Sequence, residues 1–169
     1  MSMFKESKFW KTAILAWVIF IGIDFFFHAA VFAQLWSEKV ESFKTQAELF
    51  RLIPAGYGSF LLLTILIIFT FNQSFNSTPT LKKSVTFSLV FGLLFSVSYF
   101  LGLYSFLRIP ASHLAAFSMV YFIEIFGVCM ISHFSKMVSF RKLTLFTLSV
   151  FFFLIIIGIL IQNLSGNLP

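Results

Sequence analysis

The sequence predicts an all-α integral membrane protein: a bundle of five transmembrane helices, with one interfacial amphipathic helix between the first two spans. Three observations point there. The 169-residue chain is 59% hydrophobic and 11% charged, with a mean hydropathy of +0.98, whereas soluble domains are about a quarter charged. It contains five apolar runs close to the roughly 20 helical residues that a ~30 Å hydrocarbon core requires. Its 12 Lys and Arg fall in short clusters between those runs, as orientation determinants do. Basic clusters of this kind do not form the continuous stripe that nucleic acid demands, so no nucleic-acid partner is expected.

The runs cover about 10–33, 53–71, 84–107, 111–133 and 143–161, within a single domain spanning residues 1–169. Hydrocarbon satisfies no backbone N–H or C=O group, so each run is a helix; the alternating ten-residue segments of a barrel are absent. Between the first two runs, Trp36, Val40, Phe43, Ala47 and Phe50 recur at steps of four and three. That stripe predicts an interfacial helix over about 36–51, started by Ser37, with Glu41, Lys44, Glu48 and Arg51 at ion-pair spacings on its wet side. Pro54 then suits the opening of the second span. The polar link "NQSFNSTPTLKK" reads as an ordinary loop, and the N-x-S/T patterns at Asn72, Asn76 and Asn163 carry no further expectation. In the third run Ser88, Gly92 and Ser96 recur every four residues, with Ser98 and Gly102 on an adjoining line, and the fourth run begins with Ala111 and Ala115. Small residues let helices approach closely in lipid, which places the third helix at the centre. The fifth run, featureless apart from Gly158, belongs at the periphery.

Eight basic residues (Lys5, Lys8, Lys11, Lys82, Lys83, Lys136, Arg141 and Lys142) fall on one side of this threading; Lys39, Lys44, Arg51 and Arg108 fall on the other. The count predicts a cytoplasmic N-terminus and an outer C-terminus. A rival expectation is a cleaved signal peptide, since basic residues precede an apolar stretch that ends in "VFA" before Gln34. Against it stand the length of the stretch and the presence of Asp24 and three phenylalanines near the cut.

Two acids lie at membrane depth, where charge is costly and usually faces a bundle interior. Asp24 is roughly 14 Å short of the first span's outer end, and Glu124 is about 20 Å from the outer end of the fourth. His28 follows Asp24 by one turn, and His113 shares Glu124's face, flanked by Tyr121. These five residues (Asp24, His28, His113, Tyr121 and Glu124) form the candidate ligand cavity, open to the outer side. The alternative is purely structural: Asp24 and His28 satisfying each other, His113 at the water line, and His133 an interfacial residue on the basic side. Cys129, the single cysteine, is expected to be buried and inert. No metal site or catalytic residue is expected, because the nucleophile, phosphate-cradle and zinc-helix patterns are all absent. No cofactor is predicted; a haem held between His28 and His113 is the alternative.

The pieces "DFFFH", "LWSEKVESF", "GLLFSVSYFLGLYSFLRIP" and "YFIEIFG" resemble the layout of small bacterial multi-pass membrane proteins of the domain-of-unknown-function type. That resemblance implies a helix order and a bacterial inner membrane, and no activity. The function expected is a non-enzymatic carrier or binding bundle, with the lipid bilayer and a small molecule or proton as partners. The competing class is a membrane-embedded redox protein or enzyme using Asp24 or Glu124 beside a histidine.

Overall fold

The computed structural model describes residues 6–41, 43–75 and 77–164, with Gln46 described in its backbone alone. Lys5 and Asn76, which entered the charge count and the glycosylation patterns, lie outside these residues. Among the described residues every regular element is helical. Helix α1, Ser7–Phe26, runs without a break into a π-helical turn, Phe27–Val31, followed by a short α2, Ala33–Ser37. Helices α3 (Gln46–Ser74), α4 (Leu81–Phe106), α5 (Ala111–Phe134) and α6 (Phe140–Leu164) complete the chain. Among the described residues, five helices are long and apolar enough to cross a membrane: Ser7–Val31 and those formed by α3 to α6. They are compatible with an integral membrane protein.

The predicted helix over 36–51 is not formed. Ser37 ends α2 instead of starting a helix, its hydroxyl donating back to Gln34 O at 2.7 Å. The described residues that follow are not helical until Thr45, which caps α3. Thr45 Oγ1 accepts from Glu48 N at 3.4 Å, and Thr45 N donates to Glu48 Oε2 at 2.9 Å, a reciprocal capping box. The apolar stripe is therefore split: Trp36 and Phe43 are half-buried against the bundle, while Ala47 and Phe50 lie exposed on the first turns of α3. Pro54 does not open a helix either. It lies inside α3, where its missing N–H leaves the Phe50 carbonyl without its helical donor. At 29 residues α3 is about 43 Å long, so its first turns extend past a ~30 Å hydrocarbon core.

The helix at the centre is α5, not α4. Half of its most apolar window is buried, and it packs against α1, α3 and α4. The predicted small residues do mark a contact: Ser84, Ser88, Gly92 and Ser96 are the buried face of α4, and that face lies on α5. A Cβ at Gly92 would sit 3.2 Å from the Phe122 ring. The adjoining line does not take part, because Gly102 has open space around it and Ser98, Ala111 and Ala115 are exposed. A small-residue stripe needs only one neighbour, so it locates an interface without making its helix central. His133, at the basic end of α5, is buried within the bundle, and its Nδ1 is hydrogen-bonded to Ser84 Oγ at 2.9 Å across the α4–α5 contact. Helix α6 packs on the outer side of α1, where Gly22 meets Phe151 and Gly158 meets Phe25. The core between α1, α3 and α5 holds Phe20, Ile67, Ile68, Phe71, Ile125 and the buried thiol of Cys129.

Candidate functional site

A cavity of about 110 Å³ opens between α1, α3, α4 and α5, lined by Asp24, His28, Phe60, Tyr99, Phe117, Val120, Tyr121 and Glu124. Four of the five candidates from the sequence therefore meet in one space. Most of its wall comes from α1 with its π turn and from α5, with Phe60 supplied by α3 and Tyr99 by α4.

The α1 wall is shaped by the change from α to π geometry. At that junction the Phe27 N–H reaches both Asp24 O and Ile23 O, and Phe32 N donates to Phe27 O at 2.8 Å, five residues back. His28 falls in the widened turn. Its Nδ1 donates to Asp24 O at 2.9 Å and lies 3.2 Å from Asp24 Oδ1. With two oxygens facing Nδ1, that nitrogen carries the hydrogen, and Nε2 is left as the second polar atom of the ring. Single π turns within α-helices frequently occur at functional sites.

The α5 wall carries Glu124, 1% exposed, with Oε1 lacking any hydrogen-bond partner among the described residues. Tyr121, one turn earlier, meets Tyr99 edge to face, their ring centroids 4.8 Å apart. No Lys or Arg lines the cavity. Two carboxyls, one imidazole and aromatic faces thus surround a space large enough for about four waters, at ~30 Å³ each.

His113 lies apart from this cavity. It is fully buried, and its Nε2 donates to Leu35 O at 2.9 Å and lies 3.8 Å from Glu38 Oε2. Trp36 separates the two histidine environments: His28 stacks on its indole at 4.9 Å, and His113 meets it edge-on at 5.7 Å. A haem ligated by both histidines would have to displace that indole. Segment 33–45 therefore docks over the end of the site through Trp36, Leu35 and Phe43, although it is not one helix.

Tyr99, Phe60 and Phe117 were not anticipated from the sequence. Tyr99 had a readable signal, being a hydroxyl in the middle of a span, but Phe60 and Phe117 do not stand out among 27 phenylalanines. No protein-family model, curated protein or solved structure matches the chain.

Proposed function

We propose that this protein is a small, non-enzymatic binding or carrier bundle of the bacterial inner membrane. Its basic end faces the cytoplasm, and its cavity holds a compact cation: a proton or a small ammonium group. The observation that carries this reading is Glu124. A carboxyl that deep costs free energy unless something pairs with it; its Oε1 has no hydrogen-bond partner among the described residues, and the residue lines the space shared with Asp24 and His28. The aromatic rings around it, with their negative faces, suit a cation and offer no positive group to an anion. The eight-to-four distribution of basic residues supports the orientation.

The test is thermal unfolding of the purified protein in detergent, with methylammonium chloride compared against sodium chloride at equal ionic strength. A ligand that binds only the folded state raises the midpoint by mass action. The expected result is a rise with methylammonium that disappears in both Asp24→Asn and Glu124→Gln. No rise in the parent protein, or one that survives both substitutions, overturns the proposal.

A further inference from the structure

A second recess lies at the basic end, outside the polar cavity. It is a groove of about 710 Å³ along α4, walled by Phe75 at the end of α3 and by Phe87, Val90 and Leu94, with Lys82 and Lys83 at its mouth. One face of α4 produces both features. Lys83, Phe87, Val90 and Leu94 follow one another at steps of four, three and four, so they form a single stripe. The small residues Ser84, Ser88, Gly92 and Ser96 lie on another face, packed on α5. The stripe is therefore left beside the end of α3, where Phe75 and Phe87 meet at 5.6 Å.

We propose that this groove binds an anionic phospholipid, its phosphate at Lys82 and Lys83 and an acyl chain along Phe87, Val90 and Leu94. Two arguments select that occupant. The groove is charged at one end only: both lysines are exposed, and no acidic residue is among those that line it. Its length also fits. From Thr80 to Leu94 the helix rises about 21 Å, which spans the headgroup region and one leaflet of a ~30 Å core. A partner helix would need apolar contact along the groove with nothing negative at the lysines, whereas a lipid supplies both parts in the right order. Basic recesses between membrane helices recognise phosphate headgroups in this way.

The experiment is native mass spectrometry of the full chain, released from micelles holding equal amounts of phosphatidylglycerol and phosphatidylcholine with the same acyl chains. The expected result is retention of phosphatidylglycerol over phosphatidylcholine by about tenfold, since each lysine near an anionic headgroup contributes a severalfold preference. Lys82→Gln with Lys83→Gln brings the ratio close to one. Lys8→Gln with Lys11→Gln removes the same charge at the same end away from the groove, and leaves the ratio intact. Val90→Trp, which places a bulky ring on the acyl-chain path while the lysines remain, lowers retention of both lipids. The proposal is overturned if the Lys82/Lys83 variant keeps its preference, or if the Lys8/Lys11 variant loses as much. It fails equally if Val90→Trp retains lipid unchanged, or if the chain is released as a lipid-free dimer with a second copy in the groove.

Discussion

Glu124 and His28 face the same 110 Å³ space, yet replacing them should shift stability in opposite directions. Glu124 Oε1 is buried without a partner, so the folded state bears its desolvation with no hydrogen bond to offset it. Such groups cost about 1–3 kcal/mol. Glu124→Met, similar in length and apolar, is expected to raise unfolding stability by about that amount while abolishing the methylammonium response, because residues kept for function are often costly to the fold. A clear loss of stability on thermal unfolding would mean the carboxyl is already satisfied. His28, in contrast, supplies the hydrogen bond that Asp24 receives at its carbonyl and faces its carboxylate. His28→Phe keeps an aromatic ring to stack on Trp36 but strands the acid, and is expected to cost about 1 kcal/mol. An unchanged midpoint would show that Asp24 finds another donor.

At the level of single elements, close approach and capping decide what a substitution does. The ring of Phe122 lies 3.2 Å from where a Cβ at Gly92 would sit, whereas Gly102 on the same helix has open space. Gly92→Leu is therefore expected to push α4 off α5 and destabilise by about 1–3 kcal/mol, with Gly102→Leu close to neutral; equal midpoints would contradict the packing. Thr45→Ala removes the capping box of α3 and should cost about 1 kcal/mol, read in the same unfolding experiment. Both sites show what could be read beforehand. The five apolar runs fix helix number and approximate position, because hydrocarbon leaves the backbone no alternative. The Ser88–Gly92–Ser96 stripe identifies a contact, but it cannot say whether one helix or three lie around it, and α5 took the centre. The start of α3 was legible too: "TQAE" at 45–48 is a capping box by sequence. A longer apolar periodicity ran across it and masked the break. The π turn at Phe27–Val31 leaves no such trace. His28 and Asp24 are partners at the i, i+4 spacing expected of them, while His113 went to the chain segment at Leu35, a contact 78 residues away that no local pattern encodes.

For the whole molecule, the charge distribution makes a claim about sidedness that can be measured directly. Lys8, Lys11, Lys82, Lys83, Lys136, Arg141 and Lys142 gather at the end holding the α3–α4 and α5–α6 connections; Lys39, Lys44, Arg51 and Arg108 lie at the other. The asymmetry predicts that the first end stays in the cytoplasm. The chain also provides a clean background for testing this, since Cys129 is buried and a thiol without solvent access reacts slowly. Glu38→Cys and Thr78→Cys each place one exposed thiol, at opposite ends and away from the cavity. With a membrane-impermeant maleimide on intact cells, the Glu38→Cys chain should be labelled, and the Thr78→Cys chain only after the membrane is opened. The reverse pattern would invert the protein and turn the Trp36 segment, with the cavity beneath it, towards the cytoplasm. Labelling of both thiols from outside would mean that α3, the helix between them, does not span the bilayer. That outcome would also remove the physical basis for calling Glu124 a buried acid, because its isolation depends on the hydrocarbon around α5 as much as on the packing within it.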